Sequence, residues 1–388
     1  MIYFDNAATT QPLLEVIGAI DDALKNHYAN SSSLHKTGKQ SKELLNDARN
    51  YFSSHYNLKD GNVIFTSCAT ESNNTVLYSL LKNYIKKNKK YNLVTLKIEH
   101  PSVYNTIKYY YGDSSVEIRY IKTDKNGNID IENYKSLIDE NTLFVSLSCV
   151  NNEIGTKNDI ALLSKIAKQI NARLIFHSDY VQAAGKFALD MNSADIDAIS
   201  ISGHKFHAPK GIGALLCKKN FKIAPLLHGG GQENELRAGT ENIAYIIGIQ
   251  KALELSEPHI ADMSDIIKMR QYLISNIQNN IPDVILNTPE DLDKASPYII
   301  NMAILGCKGE VMQRMLDEAD IAVSTSSACS AKKRVSRVLI DAGMDASVAE
   351  SSIRMSLSRF NTISECDRVT DEIVKNSNRL RKVGHYKK

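Results

Sequence analysis

Lys205 and Asp179 have the side chains in this sequence that are most suited to covalent chemistry. Lys205 follows a predicted strand in SISGHKFHAPKGIG, and a lysine held there, away from free solvent, can form a Schiff base with a carbonyl compound. Asp179, in HSDYVQ, stands at the end of another predicted strand. A carboxylate facing a pyridine nitrogen keeps that nitrogen protonated and makes the ring an electron sink. Alone, the two residues would be interpreted as a surface lysine and a loop cap. As a pair they favour a Schiff-base lysine and a carboxylate that faces a pyridine nitrogen.

A phosphate site is predicted at the strand-to-helix junction TSCATES, residues 66–72. Backbone N–H groups and hydroxyls at a helix N-terminus are the donors that bind phosphate, and Ser202 and His204 could add two more. Ordinary N-capping by Thr or Ser is the alternative for this segment. The sequence has neither a P-loop nor a G-x-G-x-x-G motif, so a nucleotide cofactor is not indicated.

Cys329 is the candidate nucleophile. It lies in AVSTSSACSAKKR, a run of small polar residues that predicts an exposed loop, and the basic residues that follow it favour a thiolate. Free cysteines are more often buried packing residues, which fits Cys149 and Cys217 because they stand inside apolar strands. Cys68 and Cys307 are weaker candidates for a reactive thiol.

Arg354, in SSIRMSLSRF, is either a bidentate clamp for a carboxylate or an ion-pair partner within the protein. On sequence alone the ion pair is the favoured interpretation. Three histidines at predicted strand ends could act as acids or bases: His100, His177 and His204. A histidine at the end of a sheet is nevertheless more often structural.

Alternating strands and helices must position these candidates. Short β-rich runs predict strands at Val63–Thr66, Leu93–Ile98, Val116–Ile121, Thr142–Cys149, Arg173–Phe176, Ile196–Ile201 and Gly213–Cys217. One face of an amphipathic helix is marked by Leu162, Leu163, Ile166, Ala167 and Ile170. This alternation predicts a mostly parallel sheet with helices on both faces. Ligands bind beyond the carboxyl ends of such strands, where the polar clusters CATESNN, EHPS, NNEIG, HSDYVQ and SGHK are expected.

The pattern changes after about residue 255. A long helix comes next, then polar loops, a short helical run near Ser347, and a strand in which Ile353, Met355 and Leu357 alternate with polar residues. We therefore predict a large α/β domain over residues 15–255. A smaller α+β domain, formed by residues 1–14 and 256–388, would carry the loop with Cys329.

The composition is that of a globular enzyme, with 43% hydrophobic and 23% charged residues. A net charge of +3 is too small to indicate nucleic-acid binding as the main activity. Apolar runs are too short for a membrane span, and the N-terminus shows no export signal. The six cysteines are scattered with no C-x-x-C pair, which argues against disulfides and metal sites. A soluble, cytoplasmic protein without a metal is expected.

Taken together, the motifs resemble those of the NifS/IscS-like cysteine desulfurases, in the class V aminotransferase branch of the fold-type I pyridoxal-phosphate enzymes. The resemblance runs almost end to end. Its motifs are YFDNAATT (3–10), SSLH (32–35), FTSCATESNN (65–74), EHPSV (99–103), VNNEIG (150–155), HSDYVQ (177–182), SGHKFHAPKGIG (202–213), HGGGQE (228–233), RAGTEN (237–242), SSACS (326–330) and SSIRMSLSRF (351–360). It implies an α/β fold-type I transferase, with a large, mostly parallel sheet domain and a smaller α+β domain.

The resemblance also implies roles for the candidates. Lys205 would bond covalently to pyridoxal 5′-phosphate, Asp179 would pair with the ring nitrogen, and Gln182 would donate to the ring oxygen. His100 would stack on the ring face and shuttle protons. Asn152, which also lies beside the cofactor, and Arg354 would bind the substrate carboxylate. The phosphate would be held by Ala69, Thr70, Ser202 and His204, with Thr240 reaching it from the second subunit of a homodimer.

The reaction that the resemblance implies converts L-cysteine to L-alanine. Lys205 would serve as base for the α-proton, and the Cys329 thiolate would take the sulfur as a persulfide. The sulfur would then pass to an acceptor protein, either a tRNA-thiolating enzyme or an iron–sulfur scaffold. The short C-terminus favours the tRNA-thiolating partner, because no scaffold-gripping tail is visible. No membrane and no direct nucleic-acid binding are expected.

The basic triplet after Cys329, formed by Lys332, Lys333 and Arg334, has two interpretations. It would dock an acidic acceptor, or it would form a solvated cluster that only favours the thiolate. Two other departures from the family pattern concern single residues. Tyr180 stands where the family usually has alanine, next to Asp179, and is expected to crowd the cofactor region. Ser358 replaces a common glycine.

Other functions remain open at this point. A selenocysteine lyase, or another β-eliminating or transaminating enzyme with the same cofactor, is the main alternative, although a simple aminotransferase needs no nucleophile on a loop. A non-catalytic pyridoxal-phosphate-binding regulator would come from a different class. The sequence shows no appended DNA-binding domain and retains every reactive residue, which argues against that third possibility.

Overall fold

The frame of the protein is a seven-stranded sheet with two smaller sheets beside it. The computed structural model describes residues 1–86, 89–112, 114–325 and 335–383. The strands in these ranges are β1 (Ile2–Tyr3), β2 (Gly61–Thr66), β3 (Tyr91–Leu96), β4 (Val116–Ile121), β5 (Thr142–Ser146), β6 (Ile175–Asp179), β7 (Ala198–Ser202), β8 (Gly213–Lys218), β9 (Val284–Leu286), β10 (Ile299–Ile304), β11 (Ile321–Ala322) and β12 (Ser352–Ser356).

Helices cover the large sheet and alternate with short strands in the C-terminal part of the chain. They are α1 (Leu14–Asn26), α2 (Lys36–His55), α3 (Ala69–Asn83), α4 (Pro101–Tyr111), α5 (Ile131–Ser136), α6 (Ile160–Ile170), α7 (Ile243–Glu254), α8 (Glu257–Ala261), α9 (Ser264–Asn280), α10 (Gly309–Asp317), α11 (Arg337–Asp341), α12 (Ala346–Glu350) and α13 (Ile363–Val383). Within the described ranges, none of these helices has the length and apolar character that crossing a bilayer requires.

The large sheet has the strand order β2-β8-β7-β6-β5-β3-β4. Its strands run parallel except β8, which is antiparallel to both of its neighbours, β2 and β7. Every residue of β3, β6 and β7 is buried, because helices pack on both faces of the sheet. The predicted α/β architecture with a mostly parallel sheet is therefore confirmed.

Two details of the predicted elements were wrong. On α6 the buried face is formed by Ile160, Leu163, Ser164 and Ala167, whereas Leu162 is 50% exposed. The strand expected to end at residue 176 continues to 179 as β6. Polar residues are tolerated there because the His177 ring bonds to hydroxyls of both flanking strands, Ser146 at 2.9 Å and Ser200 at 3.0 Å.

The two smaller sheets join the N-terminus to the C-terminal part of the chain. β9, β10 and β12 form an antiparallel sheet, and β1 pairs in parallel with β11. The short helix near Ser347 and the strand near Ile353 are present as α12 and β12. All of β12 is buried, so its polar residues do not face solvent as an alternating pattern would suggest. The division into domains at residues 14/15 and 255/256 stays a prediction.

Tyr180 points into the core and away from the predicted cofactor region. Its side chain is 1% exposed, and its hydroxyl donates to the carbonyl of Phe187 at 2.8 Å. Its ring packs edge-on against Tyr56, with centroids 6.0 Å apart. The expectation that Tyr180 crowds the cofactor was therefore wrong, because its ring packs in the hydrophobic core.

Tyr180→Phe should lower the free energy of unfolding by about 1 kcal/mol, because the hydrogen bond from the Tyr180 hydroxyl to the half-buried Phe187 carbonyl is lost. Urea denaturation checks this value. Tyr109→Phe is the control, since Tyr109 is 84% exposed and its change should be within about 0.5 kcal/mol of zero. An equal effect of the two substitutions would contradict the assignment of a buried structural hydrogen bond.

Candidate active site

A cavity of about 330 Å³ lies at the carboxyl ends of the central parallel strands. Its wall also includes residues from the N-terminal segment and from β12. Ten of the predicted site residues line it: Ala69, Thr70, His100, Asn152, Asp179, Gln182, Ser202, His204, Lys205 and Arg354. Two larger surface depressions, of about 610 and 820 Å³, contain none of the predicted residues within the described ranges. The chemistry is therefore assigned to the smaller, strand-end cavity.

Two predicted residues are not among those that line this cavity. Thr240 is exposed and belongs to a loop that Arg237 ties to the start of α3 through its ion pair with Glu71, at 3.0 Å. Its predicted contact across a subunit interface stays a prediction. Cys329, with the basic triplet that follows it, lies outside the described residues.

Lys205 is held by the N-terminal segment of the chain. It follows β7 in a short 3₁₀ turn, and its Nζ donates to the carbonyl oxygens of Ala7 and Ala8, both at 2.7 Å. The resemblance included YFDNAATT without giving these residues a role. Backbone carbonyls have no side-chain signature, so only the fold reveals that this segment anchors the lysine.

Asp179 ends β6 with its carboxylate at the cavity wall. Its side chain is nearly buried, and both of its oxygens accept hydrogen bonds, Oδ1 from the Val181 N–H at 3.1 Å and Oδ2 from Asn73 Nδ2 at 2.9 Å. These donors stabilise a buried negative charge. A fixed carboxylate in the cavity wall is what a protonated pyridine nitrogen requires.

The cavity histidines are neutral. Burial, the dominant cause, lowers the pKa of His204 to about 4, and the nearby Lys205 adds to this effect. The pKa of His100 is lowered chiefly by burial as well, although the charge of Asp179 opposes the shift. His177, the third candidate, is fully buried in β6, and burial lowers its pKa to about 3. It is structural rather than catalytic.

The start of α3 has the features of a phosphate cradle. The helix begins at Ala69 with no side-chain cap on its first N–H groups, which leaves them for a ligand. Gly213 on β8 permits this packing, since a Cβ there would lie 2.8 Å from the backbone carbon of Cys68. Ser202 Oγ is buried, lines the cavity and has no hydrogen-bond partner among the described residues. An acceptor such as a phosphate oxygen would satisfy it.

Arg354 lies on β12, outside the large sheet, and its side chain extends to the cavity. One of its guanidinium nitrogens donates to Asp5 Oδ1 at 2.8 Å and the other to the Asn152 carbonyl at 2.9 Å. The ion pair expected from the sequence is therefore present, and Asp5 is the partner that sequence analysis did not identify. Arg354 also lines the cavity, so its role as a clamp for a substrate carboxylate stays a prediction.

Comparison with known proteins agrees with this geometry. Residues 2–369 match the class-V aminotransferase family. The chain belongs to this family. A cysteine desulfurase IscS from Dictyoglomus turgidum is 36% identical over 100% of this chain and 97% of its own length, and one from Methanosarcina thermophila is 35% identical over 98% and 93%.

Solved structures of class-V relatives have the same fold. A NifS-like protein matches with a TM-score of 0.89 and 31% identity, covering 97% of this chain and 99% of its own. A NifS-like protein from Rickettsia africae matches with a TM-score of 0.83 and 29% identity, over 97% and 99%. The predicted resemblance to NifS/IscS-like proteins and the fold-type I architecture are thereby confirmed.

Lys186 is a buried lysine behind the cavity that sequence analysis missed. Its Nζ lies 3.4 Å from Gln182 Oε1, and Gln182 in turn donates to the Ala7 carbonyl at 2.9 Å. Burial, with a smaller contribution from the charge of Lys205, lowers the pKa of Lys186 to about 7. The only signal in the sequence was its position four residues after Gln182 in QAAGK.

Lys186→Met should stabilise the protein in a pH-dependent manner. Because the folded pKa is below the unfolded value, the unfolded chain binds more protons between about pH 7 and 10.5, and wild-type stability rises with pH across that window. The gain from the substitution should therefore be largest at pH 7 and below and should vanish near pH 10.5. Urea unfolding at pH 7 and pH 10 measures it.

Lys268→Met provides the control for this prediction, since the Lys268 side chain is 72% exposed and its removal should change stability little at either pH. A gain for Lys186→Met that is the same at both pH values would contradict the lowered pKa.

Proposed function

We propose that the protein is a pyridoxal-phosphate-dependent cysteine desulfurase, which converts L-cysteine to L-alanine and transfers the sulfur to Cys329. The observation that carries the proposal is the convergence of Lys205, Asp179 and Arg354 on one cavity of a class-V fold. The cysteine desulfurase relatives match almost the entire chain. A related solved structure, of SspA in complex with cysteine, matches with a TM-score of 0.77 and 28% identity over 93% of this chain and 100% of its own.

The residues of the cavity fit pyridoxal phosphate. The uncapped start of α3 and the orphaned Ser202 hydroxyl suit the phosphate, and the carboxylate of Asp179 suits the ring nitrogen. Gln182 would face the ring oxygen and His100 the ring face. When bound, the cofactor would supply an electron sink for the charge that develops at the substrate α-carbon.

Lys205 would hold and move the reacting proton. Its Nζ is anchored by the Ala7 and Ala8 carbonyls and would take the α-proton of L-cysteine. Arg354 would bind the substrate carboxylate by charge and hydrogen bonds, helped by Asn152. The Arg354–Asp5 ion pair would keep the guanidinium in place for this contact.

The chain on both sides of the Cys329 segment lies at the cavity. Ser324 and Thr325 line it on the N-terminal side. On the C-terminal side, Ser336 Oγ donates to Glu153 Oε2 at 2.5 Å, and Glu153 also lines the cavity. Attack by the Cys329 thiolate on the substrate sulfur would break the carbon–sulfur bond, leave the bonding electrons on the substrate carbon and form a persulfide. We further propose that this sulfur passes to an acceptor protein for iron–sulfur assembly or tRNA thiolation.

Lys205→Ala and Cys329→Ser should fail at different steps. Lys205→Ala should lose the borohydride-trappable cofactor and all turnover. Cys329→Ser should still bind the cofactor and show a spectral change with cysteine, yet alanine formation should fall by about 100-fold or more, because the sulfur has no acceptor. Absorption spectra, an alanine assay and mass spectrometry of the persulfide measure these outcomes.

Cys68→Ser is the matched control, because Cys68 is the half-buried thiol that lines the cavity within the described ranges. It should retain turnover and the persulfide on Cys329. Normal alanine production by Cys329→Ser, or a persulfide found on Cys68, would refute the nucleophile assignment. Turnover of selenocysteine without turnover of cysteine would favour the alternative function, a selenocysteine lyase.

The proposed homodimer has composite sites, with Thr240 contributed by the second subunit. Lys205→Ala and Thr240→Ala proteins should each be inactive alone. After subunit exchange, a hybrid dimer should contain one site with both defects and one intact site, so an equal mixture should recover about a quarter of wild-type activity. No recovery, with exchange verified by mass spectrometry, would show that the sites are not shared.

A further inference from the structure

Asn73 lies directly behind two residues of the proposed site. It belongs to α3, is 0% exposed and does not line the cavity. Its Nδ2 donates to Asp179 Oδ2 at 2.9 Å and to Ser102 Oγ at 2.8 Å. An amide nitrogen has two hydrogens, so both are used in these bonds. The opposite amide orientation would place Oδ1 against the carboxylate, two acceptors facing each other, and is excluded by the presence of Asp179.

The bond from Asn73 sets the direction of the next hydrogen bond. Because Ser102 Oγ accepts from Asn73, its own hydrogen is available for His100 Nδ1, at 2.8 Å. The backbone N–H of Ser102 also points at His100 Nδ1, at 3.1 Å. Two donors directed at one ring nitrogen require that nitrogen to be unprotonated. The proton of neutral His100 is therefore on Nε2, the nitrogen turned away from the start of α4.

We propose that Asn73 is a positioning residue that couples Asp179 to His100, holding the carboxylate through one amide hydrogen and fixing the Nε2–H tautomer of His100 through the other by way of Ser102. The proposal rests on the proposed function and deepens it. His100 then presents a proton donor, and not a base, at Nε2. The charged groups that act on His100 are Asp179, Lys205 and Arg337, and none of them can select the tautomer as a directed donor chain does.

Asn73→Asp is the decisive substitution, because it keeps the shape and reverses the polarity of the bond to Ser102. The introduced oxygen would lie against Asp179, and the two carboxyl groups would share one proton because they cannot both ionise at this distance. That oxygen would accept from the Ser102 hydroxyl, which would then accept from His100, so protonation at Nδ1 becomes favourable. We expect the His100 pKa to rise by about 1 unit or more and the Nε2–H tautomer to lose its dominance. Ser102→Ala should cause a smaller change in the same direction, because only one of the two donors is removed.

Asn74→Asp is the matched control, since it adds the same charge one residue along α3 on a half-buried side chain bonded to Thr70 and Thr106. It should leave the tautomer unchanged. The readout is ¹⁵N NMR of histidine-labelled, otherwise deuterated protein without cofactor, with the His100 signals assigned from a His100→Gln variant. This measurement does not need activity, so a failed desulfurase assay and a failed tautomer prediction remain distinct results.

The holoenzyme gives a second readout. In Asn73→Asp the pH–rate profile should move to higher pH with the His100 pKa, whereas in Asn74→Asp it should not. If Asn73→Asp does not fold, as judged by near-ultraviolet circular dichroism, Ser102→Ala decides. An unchanged His100 tautomer and pKa in the folded variants would overturn the proposal. A dominant Nδ1–H tautomer in the wild type would overturn it as well.

Discussion

The site depends on the two hydrogen bonds that the carbonyl oxygen of Ala7 accepts. This oxygen accepts a hydrogen bond from Lys205 and another from Gln182, and so ties the turn after β7 to the turn after β6. Two residues earlier, Asp5 pairs with Arg354 of β12. The N-terminal segment therefore sets the distance between Lys205, which its backbone carbonyls hold, and Arg354, which its Asp5 side chain holds. The proposed substrate contacts depend on these two residues.

The second constraint is the free-energy cost of burying charge in and behind the cavity. Both oxygens of Asp179 accept hydrogen bonds, which stabilise a buried carboxylate. Burial instead lowers the pKa of His204 to about 4, so that its ring is neutral. Glu99, fully buried and bonded to the Ser148 N–H at 2.7 Å, has its pKa raised by burial to about 8. The cavity lining thus combines the carboxylate of Asp179 with the cationic side chain of Arg354 and the amine of Lys205, groups complementary to a zwitterionic amino acid and a protonated ring.

The sequence was sufficient to predict the side chains that end the parallel strands, since strand ends in this architecture meet at one edge of the sheet. Lys205, Asp179 and His100 were found in this way. Asn73 and Lys186 were not, because a buried asparagine within a helix and a lysine after a turn look like ordinary capping and surface residues until the fold brings them behind the cavity. The burial of Tyr180 and the exposure of Leu162 likewise depended on packing partners distant in sequence. The local pattern contains no information about those partners.

The pairing of the first residues with the last strands has a consequence for synthesis of the chain. Asp5 leaves the ribosome almost 350 residues before Arg354, and β1 precedes its partner β11 by 319 positions. At 5–20 residues per second the N-terminal segment waits roughly 20–70 s for its partners. For the last 149 residues of that interval Lys205 is already translated, but the β12 wall of its cavity is not. The proposed cofactor would therefore meet its complete site only after Arg354 has been synthesised, 149 residues after Lys205.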